Sequence, residues 1–518
     1  MANKMLFTGG RIITMAEDAQ ALLVENGKIQ AVGTEEELRR QAPDASVREL
    51  EGKVLMPAFL DGHSHMTSLA TTFQAVSLEK AGSLEEIENL LCQAAAKQPE
   101  GEWLIGFGYD HNFLREGCHP DRMMLDRVSD RIPILISHKS GHMGAANTAA
   151  LRLMGVDLHQ QDPEGGRYGR LPDGSLSGYL EETAFTNLAT RLPKPGLDKR
   201  LWALEQAQQV YLSNGITTIQ DGMTSPEEWA LLQEFASQGR LLVDLVCYPP
   251  FEQGLELVEA HPEWRTYQNH LRIGGFKIFL DGSPQGKTAW LSRPYEGETE
   301  YCGYPVLSDA QVIKAMEGCC KAGLQLLCHC NGDAAAEQMI RCWESCRSQW
   351  EGKDLRPVMI HAQTVRADQL GRMAGLGMMA SFFVAHTRYW GDIHRKNLGE
   401  ERAARISPAA TARKLGVPFT FHQDSPVLPP DMLDTLHCAV FRTTQSGYVL
   451  GPEECLAPME ALEAVTRTAA WQYHEEGKKG VLAPGAAADL IVLSGDPAGQ
   501  EKVQVVETIK DGKTLWKA

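Results

Sequence analysis

The chain has 518 residues, 43% hydrophobic and 23% charged, and a formal net charge of −17. That length exceeds what one core sustains, so one large domain with insertions, or two to three units, is expected. The acidic balance argues against nucleic acid or an anionic membrane as partner, since both need a basic face, and no apolar run approaches the roughly 20 residues of a membrane span.

The opening Met1-Ala-Asn-Lys-Met-Leu-Phe-Thr-Gly-Gly10 lacks the charged region, apolar stretch and cleavage site of a secretory leader. Twelve cysteines without disulfide-scaffold spacing favour reduced thiols and a cytoplasmic location. Residues 1–56 then read as short strands with tight turns, Asn26-Gly27 being a strong hairpin signal. The same texture returns at the far end, where Ala488–Ser494 and Val503–Trp516 are strands around an Asp511-Gly512 turn. Two terminal segments of matching style are expected to pair into one small β-sandwich.

Between them strands alternate with helices. After the stretch opening at Pro57 come strands at Gly215–Asp221, Leu242–Tyr248, Gly275–Asp281, Leu324–Cys330, Pro357–Ala362, Met378–Val384 and Pro418–Asp424. Ser225-Pro226 with Glu228 predicts a capped helix start, as do Ser308 and Ser407-Pro408, and Gly323 and Gly416 predict stops. Eight such repeats argue for an α/β fold of the (β/α)8 barrel type. One interval is out of scale: roughly 150 residues separate His65 from Thr217, where one repeat takes about 30. The expected organisation is a composite sandwich from 1–56 and 451–518, a barrel from 57–75 and 205–450, and a subdomain, 76–204, inserted after the first barrel strand and lying over the barrel mouth.

Candidate chemistry begins at Asp61-Gly-His63-Ser-His65. If the strand continues, residues two apart point the same way, so both imidazoles aim at one point, as a metal requires. The ends of the other strands carry Lys277, His329, His361 and Asp424. Six metal-capable groups at one end of a barrel are hard to produce by packing alone. Lys277 lies among Phe276, Ile278 and Phe279, where a free ammonium is costly. It snorkels, pairs with a carboxylate such as Asp281, or reacts with carbon dioxide, giving a carbamate that bridges two metals.

These residues resemble the amidohydrolase superfamily, in particular the YtcJ-like branch that includes N-substituted formamide deformylases. The resemblance rests on Gly62-His-Ser-His65, Lys277 with Asp281-Gly-Ser283, His329-Cys-Asn-Gly-Asp333, His361-Ala-Gln363, Asp424-Ser-Pro426 and the terminal Gly480–Asp489 segment, and covers essentially the whole chain. It implies that His63, His65 and Asp424 hold one divalent ion, His329 and His361 a second, and carboxylated Lys277 bridges them; zinc is the expected metal, and a single ion the alternative. It implies hydrolysis of an amide or related C–N bond in a small-molecule substrate, N-acyl or N-formyl amides included, with Asp424 as catalytic general base. A homodimer is the expected assembly beyond the monomer. His138 and His142 lie in a segment similar to the family's Gly-His loop and are candidate substrate contacts, as is His386 beyond the seventh strand. His422 departs from the family pattern, which has a small residue there, and is a further candidate contact. Competing readings are a mononuclear deaminase, an ester or lactone hydrolase, and a non-catalytic binding relative. Lys277 and the lack of a His-x-x-Glu after His329 or His361 tell against the first; six intact candidate ligands tell against the last.

Overall fold

The computed structural model describes residues 4–99, 101–499 and 502–518; the first three residues of the stretch read for a leader lie outside these. Among the described residues no helix is long and apolar enough to cross a membrane, and the cysteines are unpaired.

Tight turns organise the two ends. Ala21–Glu25 and Lys28–Gly33 pair antiparallel across Asn26-Gly27, whose φ values of 52° and 77° are the left-handed pair that a type I′ turn requires. With Lys4–Thr8 and Ser46–Glu49 they form a four-stranded sheet. A five-stranded sheet draws on both ends of the chain. It takes Arg11–Ile12 and Val54–Pro57 from the start, and Leu490–Leu493, Val505–Lys510 and Lys513–Lys517 from the finish. Phe7, Leu22 and Ile29 of the first sheet share a buried apolar cluster with Leu55, Leu490 and Ile509 of the second.

The chain then passes directly into parallel structure. Phe59–Leu60, Ile216–Gly222, Asp244–Tyr248 and Leu271–Ile273 form one parallel sheet. Gly275–Phe279, Gln325–Cys330, Val358–His361, Met379–Phe382 and Phe419–Phe421 form another, in sequence order. Only Gly274 separates the last strand of the first sheet from the first strand of the second. The strands are buried throughout apart from single residues, as expected where helices cover a parallel sheet. The helices start where the sequence signals them. Pro226–Ser237 carries the Ser225/Glu228 capping box and Asp309–Ala322 stops at Gly323 with φ 64°; Ala409–Lys414 follows Pro408 without the expected serine cap, because Ser407 Oγ donates to Gln363 Oε1 instead. The fold is α/β. Among the described residues no strand ladder joins Phe59–Leu60 to Phe419–Phe421. Their neighbourhoods nevertheless touch, because a Cβ on Gly62 would meet Thr420 Oγ1 at 2.7 Å and Phe421 O at 2.9 Å.

Residues 76–182 build a separate six-stranded sheet, ordered Gly166–Arg170, Leu176–Glu182, Met143–Ala146, Ile134–His138, Leu104–Tyr109, Val76–Ser77. It has its own apolar clusters on both sides. It meets the segments that follow the parallel strands through polar contacts: Trp390 Nε1 donates to Asp110 Oδ2 at 2.8 Å and Tyr304 OH to Glu181 Oε1 at 2.8 Å.

Candidate metal-binding active site

The first strand ends at Leu60, so His63 and His65 sit in the turn beyond it, with His65 at the N-cap of helix Met66–Thr72. Strand alternation therefore does not aim them, contrary to the sequence expectation; the neighbouring strand does. Gln220 uses its amide nitrogen on Gly62 O (2.9 Å) and Tyr473 OH (3.2 Å), which leaves Oε1 to accept from His63 Nδ1 at 2.5 Å. Gly222 O accepts from His65 Nδ1 at 2.7 Å. Each imidazole thus has its proton on Nδ1 and a lone pair on Nε2, the arrangement that a carbonyl partner imposes on metal-ligating histidines. Both Nε2 atoms lie 3.4 Å from Asp424 Oδ1.

The remaining candidates converge on the same point. Lys277 Nζ is 2.8 Å from His63 Nε2. His361 Nε2 is 4.0 Å from Asp424 Oδ2 and 3.0 Å from His329 Nδ1. His63, His361 and Asp424 each offer a ligand atom within 4.8 Å of the others. His422 joins them from beneath, with Nε2 3.2 Å from His361 Nδ1 and Nδ1 2.8 Å from Ser381 Oγ. It is fully buried, held between His361 of the cluster and Ser381. His361, Ala362 and Asp424 have φ of 71°, 46° and 54°; non-glycine residues held there store strain of about 1–3 kcal/mol each, and such strain gathers at functional sites.

Electrostatics sharpens the picture. Burial pushes His63, His329 and His361 well below the usual imidazole range and His422 down to about 3, so all four are neutral. Burial also drives Lys277 down to about 7. Asp424 lies at the centre of these rings, facing His63 and His65 with one oxygen and His361 with the other. Its Oδ1 is buried without a hydrogen-bond donor. A carboxylate oxygen and two imidazole lone pairs thus face one another. Such a group of acceptors suits a divalent cation.

Other residues fall around this centre. Lys277 is not paired with Asp281: that carboxylate accepts instead from the backbone N–H groups of Trp290, Asn331 and Gly332 at 2.7–2.9 Å, and burial still raises it to about 7. Asp333 accepts from Ser292 N at 2.9 Å and Arg366 Nη1 at 2.8 Å, ordering the loop after His329. His142 lies over the centre, its ring 5.1 Å from that of His329. His386 stands one ring away, 4.7 Å from Phe383, which is 5.3 Å from His422; its Nδ1 contacts His394 Nε2 at 2.9 Å.

His138 is not brought to the centre. It belongs to a second cluster, with Asp110 and His111. There Ser140 N donates to His138 Nδ1 at 3.0 Å, so Nε2 carries the proton and faces Asp110 Oδ1 at 3.3 Å. Asp110 also accepts from Asn112 N, Asn112 Nδ2 and Trp390 Nε1 at 2.8–3.0 Å. Sequence reasoning missed Gln220 and Glu182, the latter bonded to His142. Gln220 lies in a strand that also holds Thr217, Thr218 and Asp221, so no local signal set it apart.

Comparison with known proteins decides the family. The model of the amidohydrolase family matches residues 46–516. The chain belongs to the amidohydrolase family. Residues 21–45 also match an imidazolonepropionase-like composite domain of bacteria. The chain is 28% identical over 513 residues to the N-substituted formamide deformylase of Arthrobacter pascens, covering 95% of this chain and 94% of the relative. It is 26% identical over 543 residues to the putative amidohydrolase YtcJ of Bacillus subtilis, covering 99% of each. In structure it is similar to an uncharacterized metal-dependent hydrolase from Pyrococcus horikoshii, with TM-score 0.78, 24% identity, and coverage of 99% of this chain and all of the other. Membership of the amidohydrolase family supports a hydrolase.

Proposed function

We propose that this amidohydrolase is a metal-dependent hydrolase that cleaves an amide or related C–N bond of a small molecule. The observation that carries the proposal is Asp424 Oδ1, buried without a donor and 3.4 Å from the Nε2 atoms of both His63 and His65. His63, His65 and Asp424 would hold one ion, and His329 and His361 a second, with Lys277 between. Zinc suits this nitrogen and oxygen donor set, and when bound it would supply Lewis acidity for a substrate carbonyl and for a water whose pKa it lowers toward about 7.

The chain's own residues do the rest. Asp424 presents one oxygen to His63 and His65 and the other to His361, which leaves it placed to take a proton from the attacking water and pass it to the leaving amine. Lys277, with its pKa pushed to about 7 by burial, is about half free amine at pH 7, the form that reacts with carbon dioxide to give a carbamate. Gln220 and Gly222 hold the ligand imidazoles in one tautomer.

The same reading extends to architecture. The two parallel sheets, linked through Gly274 and brought together at Gly62 and Phe421, are proposed to be one (β/α)8 barrel, with 57–75 and 205–450 as its extent. Residues 1–56 and 451–518 would form the composite sandwich, in keeping with the composite-domain match, and 76–204 the insertion over the site. The decisive experiment is metal quantification on the purified protein, intact-mass detection of a lysine carbamate, and a screen of N-formyl, N-acyl, cyclic amide and ester substrates. Metal bound, with turnover of an amide that Asp424→Asn abolishes, is the expected result. A metal-free protein, or full activity in D424N, would sink the proposal.

A further inference from the structure

Glu182 is an expensive residue to keep. It is 6% exposed. Its backbone, at φ 51° and ψ −122°, lies in a region suited to glycine, costing a non-glycine residue about 1–3 kcal/mol. One carboxylate oxygen, Oε1, is buried with no hydrogen-bond partner, which adds a desolvation penalty of similar size. That oxygen packs on the loop after Lys277 where only glycine fits: a Cβ on Gly282 would meet it at 2.3 Å. What the carboxylate does make is a 2.8 Å contact from Oε2 to His142 Nδ1. Glu182 N also donates to His142 O at 2.7 Å, so backbone and side chain both tie the two residues together. The carboxylate outweighs the effect of burial on the imidazole, and the pKa of His142 is raised.

The His142 side chain is 18% exposed, whereas those of His63, His329 and His361 are 1–4% exposed. With its ring 5.1 Å from His329, His142 is a histidine that open space can reach on the His329 side of the site, as His65, 17% exposed, is on the side of the first strand. An imidazole bonded at Nδ1 to a carboxylate has one orientation and a defined Nε2.

We propose that Glu182 is a positioning residue that acts through His142, holding Nδ1–H on its carboxylate so that Nε2 of His142 meets the substrate beside His329. The proposal rests on the hydrolase reading above and assigns the segment 76–182 a part in the chemistry. Glu182 never touches the substrate; its strained backbone and its unpartnered oxygen are tolerated because they fix one imidazole.

The test uses the full-length protein with E182A, E182Q and H142A, singly and with E182A and H142A combined. Nitrogen-15 spectra of histidine-labelled protein, recorded at a pH where the His142 ring is neutral and with His142 assigned by its loss in H142A, are expected to show a single Nδ1–H tautomer in wild type and E182Q and a mixed one in E182A. Hydrolysis of p-nitroformanilide is expected to fall about 10²-fold in kcat in E182A, with KM and metal content little changed. E182Q, whose amide oxygen still accepts from Nδ1–H, should stay within about threefold of wild type. In the H142A background, E182A should have almost no further effect, because residues acting as one unit are non-additive. An unchanged His142 tautomer in E182A, or additive losses in the double variant, would overturn the proposal. If wild-type protein with bound metal fails to hydrolyse p-nitroformanilide, that result counts against the hydrolase reading, and the tautomer spectra still decide the role of Glu182.

Discussion

Two clusters in this molecule have nearly the same composition. One, at the ends of the parallel strands, brings His63, His361 and Asp424 within 4.8 Å of each other; the other, on the six-stranded sheet, does the same with Asp110, His111 and His138. Burial and residue type do not separate them. Hydrogen-bond saturation does. Asp110 is met by donors from Asn112, Trp390 and His138, and the tautomer of His138 is set with its proton toward that carboxylate. Asp424 Oδ1 has no donor, and the imidazoles around it turn lone pairs toward it. A satisfied cluster braces two parts of the chain. An unsatisfied one needs something from outside the chain.

That contrast can be broken at several points. The largest effect should come from D424N: at least about a 10³-fold loss of kcat/KM, near 4 kcal/mol of transition-state stabilisation, with metal content reduced; D110N should leave metal stoichiometry intact. Next comes metal removal. A chelator should lower the stability of wild type by about 4 kcal/mol where free metal stood at a thousand times its dissociation constant, read as a fall in Tm, and should leave the Tm of H63A nearly unmoved. D110N should destabilise by about 2–4 kcal/mol in denaturant titration, because it breaks a buried network. The fourth test is acid titration. Burial alone would raise Asp110, but bonds from His138, Trp390 and Asn112 hold it far below the usual carboxylate range. The unfolded chain therefore binds the proton first, and the stability Asp110 contributes is complete above about pH 4 and lost as pH falls below it. D110N should flatten that acid limb. The smallest change is W390F, which removes one donor to Asp110 and should cost about 1.5–3 kcal/mol.

The strands were legible because fully buried parallel strands are apolar runs bounded by turn residues, and the helix starts because Ser225 and Ser308 carry capping boxes in the sequence itself. The six candidate ligands were legible as residue types out of place at strand ends. The reason given for His63 and His65 was less sound: the strand stops at Leu60, and Gln220 and Gly222 aim the two rings. A contact between residues some 157 apart in the chain leaves no local pattern. Glu182 was hidden for the same reason, since its partner lies across a strand pair and its unusual backbone has no glycine to announce it. His138 and His142, four residues apart, looked equivalent in sequence; one faces Asp110 and the other His329.

The register between Val54–Pro57 and Leu490–Leu493 has a bearing on the order of synthesis. Val54–Pro57 leads within six residues to His63, yet the strand beside it emerges from the ribosome more than 400 residues later. The segment that carries His63 and His65 therefore waits, with one sheet edge unpaired, until nearly the whole chain has been made. Contacts of such separation fold slowly and leave exposed edges in the interim. A nascent chain released before Leu490 would contain all six candidate ligands and still lack the strand that anchors the first two.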